Sequence, residues 1–202
     1  MNRIPTQSNQ KDETPRVSLA GYLLVAGPGI QDLIFAKSVC IIVEHSTERT
    51  IGIMLNRRLA MDTGTLWEQL LEGAAKPANA VSYLNFGGPQ NGPVLAIHDN
   101  QLLAEGGNDQ GVYLSTQSET LKKLALLAPD HCRLFVGHAV WQPNQVETEI
   151  VNGQWHVLPA VPELVFEDEQ TMWGRGMRIV GNSIIQSVTG VPIMSSGQQI
   201  LN

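Results

Sequence analysis

SVCIIVEHSTERTIGIMLN, residues 38–56, decides the architecture. Its two apolar runs, SVCIIVE and IGIMLN, flank the polar turn HSTERT. Short apolar runs bounded by turn residues read as buried strands, and so short a connection joins only antiparallel neighbours. A hairpin from Val39 to Asn56 is therefore expected. Upstream, GYLLVAG (residues 21–27) is another such run. The intervening PGIQDLIFAK is too short for an ordinary crossover helix, so a loop with at most one helical turn should join these strands.

Downstream, the pattern continues as strands punctuated by a few helices. Thr65 and Glu68 form a capping box ahead of a short helix that Gly73 ends. VSYLNFGG and VLAIHD read as strands around the turn GGPQNGP, and a polar, glycine-rich loop follows from Asn100 to Gln110. GVYLS is a strand. Thr116 with Glu119 offers a second capping box, with Leu121, Leu124 and Leu127 at helical spacing. CRLFVG runs as a strand into GHAVWQPNQVETEI (residues 137–150), where Pro143 fits the first turn of a helix that Asn152-Gly153 ends. QWHVLPA is a further strand, and TMWGRGMRIVG a last helix weakened by two glycines. Strands in hairpins with interspersed helices indicate an α+β domain, with neither a doubly wound sheet nor a repeat.

Composition excludes several classes. The chain has 202 residues, 43% of them hydrophobic and 16% charged, which suits one globular domain over residues 17–202. Residues 1–16, polar and with two prolines, read as a flexible arm. No apolar run behind a basic start marks a secretory signal, and none approaches a bilayer span. The expectation is a cytoplasmic protein that makes no membrane contact. A net charge of -6 argues against direct DNA binding, which needs a basic face. Cys40 and Cys132 form no CxxC pair and read as structural.

The common catalytic signatures are missing. GGPQNGP has proline where a phosphate-binding loop needs lysine, GPGIQD lacks the third glycine of a dinucleotide fingerprint, and neither GxSxG nor HExxH occurs. Glu147 and Glu149, two apart on a helix, diverge by roughly 200° and read as a solvated face. His45, His98 and His138 each sit where a strand meets a turn. They could converge as metal ligands or a proton relay, or each could hydrogen-bond its own turn; without local ligand spacing the second reading is favoured. Arg57 and Arg58 could fork onto an anion, although such an isolated pair is more often solvated.

Taken together, GYLLVAGPGIQDLIFAKSVCIIVEHSTERTIGIMLNR, NFGGPQNGPVLAIHD, GVYLS and LFVGHAVWQPNQVETEIVNGQWHV resemble, in order and spacing, the AlgH/YqgE family of bacterial proteins. The resemblance runs over about residues 20 to 180. It departs at Arg58, where the family has proline, at His138, where it has tyrosine, at Val140, where it has glycine, and over Asn144 to Glu147. It implies a mixed, largely antiparallel and partly barrel-like sheet with flanking helices, no cofactor and no known reaction. The leading expectation is a non-catalytic binding or regulatory protein with an unknown protein or small-molecule partner. The candidate site residues are Glu44, His45, Asn56, Arg57, Gly87, Gly88, Pro89, His98, His138 and Trp141, all at expected strand ends or corners, where functional loops gather. The alternative is a hydrolase-like enzyme using the strand-end histidines, with or without a metal.

Overall fold

The computed structural model describes residues 17–62, 64, 68, 83–127, 129 and 131–190. The arm expected over residues 1–16 and, apart from Glu68, the helix expected over residues 65–73 lie outside them. Eleven strands are described: β1 (Tyr22–Ala26), β2 (Val39–His45), β3 (Thr50–Met54), β4 (Arg58–Asp62), β5 (Tyr83–Phe86), β6 (Leu95–His98), β7 (Gly106–Gly107), β8 (Tyr113–Ser115), β9 (Cys132–Val136), β10 (Ala139–Trp141) and β11 (Trp155–Pro159). Four α-helices accompany them: α1 (Ser118–Leu127), α2 (Gln145–Val151), α3 (Pro162–Val165) and α4 (Met172–Thr189).

The expected hairpin forms: β2 and β3 pair antiparallel, with an irregularity between Ile42 and Glu44 that twists the strand end. They are the middle of a five-stranded sheet in the order β10-β3-β2-β1-β11. A six-stranded sheet, β4-β5-β9-β6-β8-β7, stacks on it, and the two do not close into a barrel. The unbroken apolar runs follow from this stacking, because both faces of the inner strands are covered. Leu23, Val25, Val39 and Ile41 point between the sheets, while Leu24, Ala26, Cys40 and Ile42 point outward under α2 and the loop carrying Phe35. The second sheet's outer face, through Leu84, Ala96 and Leu134, is covered by α1. The fold is thus α+β, with one parallel pair, β5 with β9, among antiparallel ones.

Several local expectations change. β5 and β6 do not pair across GGPQNGP, because β9 enters between them. Helix α1 starts at Ser118 rather than at the Thr116 box. Its entry is capped instead by Glu105, whose carboxylate accepts from Thr116 N at 2.8 Å and Gln117 N at 3.1 Å. A negative group there opposes the positive helix end. Leu127 is 62% exposed, and Ala125 takes the core position beside Leu121 and Leu124.

The corner before α2 also holds an unexpected strand, β10, which pairs with β3. Pro143 therefore precedes the helix. It occupies a turn closed by Gln145 N donating to Gln142 O (3.0 Å), with Asn144 left-handed at φ 61°. Proline followed by a left-handed asparagine is the type II turn signature. The last helix runs on to Thr189, well past the expected segment. Gly176 favours its docking, since a Cβ there would lie 3.1 Å from Val25 Cγ2. Among the described residues no helix is long and apolar enough to cross a membrane.

Candidate functional site

The site grows out of the connection between β1 and β2. Asp32 Oδ1 accepts from Ile34 N (2.9 Å) and Phe35 N (3.0 Å), and Ser38 Oγ donates to Phe35 O (2.7 Å), which winds the segment into one tight turn. Asn56 then clamps its end: Oδ1 accepts from Val39 N and Nδ2 donates to Lys37 O, both at 2.9 Å. Arg57 spends its fork on backbone, donating to the carbonyls of Asn56 (3.2 Å), Ile34 (3.5 Å) and Ala36. Arg57 is thus half-buried on backbone rather than solvated, whereas Arg58 is exposed, as the sequence suggested. Arg58 stacks on Tyr83, 3.7 Å above the ring centroid, and donates to Glu169 at 3.2 Å.

These constraints force Lys37 into the left-handed region, at φ 56°. For a long side chain that conformation costs about 1–2 kcal/mol, and such strain concentrates at functional positions. It places the Lys37 ammonium 5.6 Å over the Trp173 ring, whose Nε1 donates to Ala26 O (2.8 Å). Lys37, Asn56, Arg57, Arg58, Glu169 and Trp173 line a groove of about 390 Å³. Beneath it, burial pushes the Cys40 thiol up to about 12, against the opposing effects of Ser38 and Arg57, so it is an inert core group.

Next to this groove the two sheets are stitched together. Met54 N donates to Gly87 O and Gly87 N to Val136 O, both at 2.8 Å, and Gln90 and His138 exchange backbone bonds at 2.9 Å. Here two backbones cross almost in contact. A Cβ on Gly87 would lie 2.2 Å from Gly137 O, and one on Gly88 2.2 Å from the His138 carbonyl carbon. Asn56, Arg57, Gly87, Gly88, Pro89 and His138 therefore gather at this end of the molecule.

The remaining candidates lie elsewhere. Glu44 pairs with Arg49 inside the β2-β3 hairpin, at 3.0 and 3.2 Å. His45, at the far end of β2 from Asn56, accepts from Leu19 N at Nδ1 (3.0 Å) and meets Glu147 at Nε2 (3.0 Å). Since Nδ1 accepts, the proton sits on Nε2, and no lone pair is left to act as a base. His98 is fully buried in the other sheet, its Nε2 2.9 Å from Ser115 Oγ. That hydroxyl gives its only proton to Leu103 O (2.6 Å), so His98 donates. Burial lowers the His98 pKa, against Asp99. Ile97 faces the inter-sheet core, so its neighbour His98 faces the outer side, whereas His45 packs under α2 outside the first sheet. The three histidines do not meet. Among the described residues no group of three or more His, Cys, Asp or Glu could hold a metal ion.

Trp141 is buried in the core, packed edge-on against Trp155 at 5.9 Å and beside Phe35 at 6.1 Å. Glu149, read from sequence as solvated, accepts both indole N–H groups at Oε2, 3.0 Å from Trp141 and 2.8 Å from Trp155. Glu147 is likewise bound, to His45. The two glutamates do diverge, but into contacts rather than solvent. Lys37, Glu169 and Trp173 were not legible as site residues, because nothing in their sequence surroundings links three distant segments.

A profile of the AlgH-like family matches residues 23–185. The chain belongs to the AlgH-like family. Among similar proteins, a UPF0301 protein of Nitrobacter hamburgensis is 34% identical over 176 residues, covering 81% of this chain and 82% of its own. A UPF0301 protein of Coxiella burnetii is 29% identical over 172 residues, covering 83% and 92%. The solution structure of the AlgH protein from Pseudomonas aeruginosa superposes with a TM-score of 0.67 at 22% identity, over 92% of this chain and all of that one, and at that identity shows a shared fold. A crystal structure of a Corynebacterium diphtheriae protein gives 0.63 at 29% identity, over 83% and 89%. In this AlgH-like chain the Asp32–Ser38 turn and the Asn56-Arg57 clamp coincide with motif positions of the family resemblance. Arg58, at a departure from it, contributes a cation to the groove.

Proposed function

We propose that this AlgH-like chain is a non-catalytic binding protein whose ligand or partner presents an anionic group to the groove lined by Lys37, Arg58 and Trp173. The observation that carries the reading is Lys37, held left-handed at φ 56° by Asn56 and Arg57. A glycine would remove that strain, so the lysine side chain supplies what offsets it. The groove brings three cations together against Asp168 and Glu169, in a chain whose net charge is -6. Trp173 adds an aromatic face under the ammonium. A flat anionic molecule, or an acidic side chain of a protein partner, fits that combination.

Lys37→Gly tests it. The variant should be as stable as the parent or up to about 1 kcal/mol more stable, because strain is relieved while backbone entropy is lost. It should also lose retention of the partner or anionic ligand captured by the parent from cell lysate, as should Arg58→Ala. If both variants capture the same molecules as the parent, or if Lys37→Gly destabilises the fold by more than about 1 kcal/mol, the strain serves packing and the proposal fails.

A further inference from the structure

At the opposite end from the groove, the space between the sheets opens into a cavity of about 570 Å³. Much of its wall is apolar: Ile41 and Val43 from β2, Ile97 from β6, Leu114 from β8 and Val112 just before it, with Tyr22 and Tyr113 beside them. Over it lies β7, which is only Gly106 and Gly107. At Gly107 a Cβ would sit 2.5 Å from Val112 O, so no side chain can grow there. The roof of the cavity thus carries nothing that could fill it.

At the rim Asn108 spends its whole side-chain amide on the protein itself. Asn108 Oδ1 accepts from Gln110 N (3.0 Å) and Val112 N (3.1 Å), while Nδ2 donates to Ala160 O (2.8 Å) and Gly21 O (3.2 Å). Those four bonds use every donor and acceptor of the amide and pin the β7-β8 turn to the first sheet. The lining holds a single carboxylate, Asp109, and neither lysine nor arginine. A largely apolar cleft whose one charged lining residue is a carboxylate disfavours anions, and its volume is in the range of small-molecule sites.

We infer that this cavity is a binding site for a neutral, lipophilic small molecule, separate from the anion groove. The Asn108 bridge keeps its mouth open and glycine-roofed β7 leaves room for the ligand body. The probe is N-phenyl-1-naphthylamine, a neutral fluorophore, titrated into the full chain, with the anionic 1-anilinonaphthalene-8-sulfonate for comparison. Saturable one-to-one binding of the neutral probe is expected, at least about tenfold tighter than that of the anionic one, which corresponds to about 1.4 kcal/mol. Val43→Trp, entering from one wall, and Gly106→Leu, growing from the roof, should each weaken binding about tenfold or more. Ile185→Asp, on the half-exposed apolar stripe of α4, should leave it unchanged, as should Lys37→Gly in the groove. In the unmodified protein, methyl resonances of Ile41, Ile97 and Leu114 should shift on saturation while those of Ile184 and Ile185 stay, a readout independent of how any variant folds. Absence of saturable binding, equal affinity for the anionic probe, loss through Ile185→Asp, or shifts confined to α4 would overturn the inference.

Discussion

Replacing Glu149 by leucine should destabilise the protein far more than a change on a solvated helix face. Its Oε2 is the acceptor for two indole N–H groups, those of Trp141 and Trp155, and each of these tryptophans is only 3% exposed. Leucine keeps much of the volume and helix propensity but strands both donors, at about 1–3 kcal/mol each, so the loss should be roughly 2–6 kcal/mol. The third contact, with Gln145 Nε2 at 2.8 Å, is at an exposed amide that water can satisfy, and adds little. Glu149→Gln retains an oxygen for the indoles and forfeits only the charge assistance, a loss of roughly 1–2 kcal/mol. Urea unfolding followed by tryptophan fluorescence measures both, with the slope expected to stay constant. A double-mutant cycle with Trp141→Phe, which removes one donor, should show coupling above about 0.5 kcal/mol. A leucine variant within about 0.5 kcal/mol of the parent, at unchanged slope, would refute the reasoning, since that is the range of ordinary surface substitutions.

Other predictions follow from the seam and from buried His98. Gly88→Ala drives a Cβ to 2.2 Å from the His138 backbone and should cost more than about 3 kcal/mol or abolish soluble expression. Gly29→Ala, with nothing within 4 Å, should stay within about 0.5 kcal/mol; equal effects of the two in thermal unfolding would contradict the close crossing. Burial lowers the pKa of His98 below its ordinary 6.5, so the unfolded chain binds the extra proton first as pH falls. Its contribution is thus fully present above about 6.5 and is lost as pH drops towards the folded value. Stability measured from pH 7.5 to 5 should fall more steeply for the parent than for His98→Gln, and parallel profiles would show that this histidine is not linked to folding.

The sequence by itself determined most of the strands and the fold class. Unbroken runs such as YLLVA and VCIIV are apolar on both faces because a sheet covers one side and a helix or loop the other, and that pattern needs no tertiary knowledge to read. Family membership was legible from the order and spacing of motifs along the chain, Asp32, Asn56-Arg57 and Gly87-Gly88-Pro89 among them. Tertiary structure decided which of those residues share a place. Only strand order puts β9 between β5 and β6, and only that order brings Gly137 against Gly87. Parity along β6 turns His98 away from the core that Ile97 enters, so three histidines that look alike in sequence end in separate parts of the fold. The glutamates of α2 were misread because helical geometry gives their divergence but not what each meets; their partners come from β2, β10 and β11. Likewise Lys37, Glu169 and Trp173 converge through packing of α4 and its approach on the first sheet, a long-range consequence of apolar burial that no local spacing encodes.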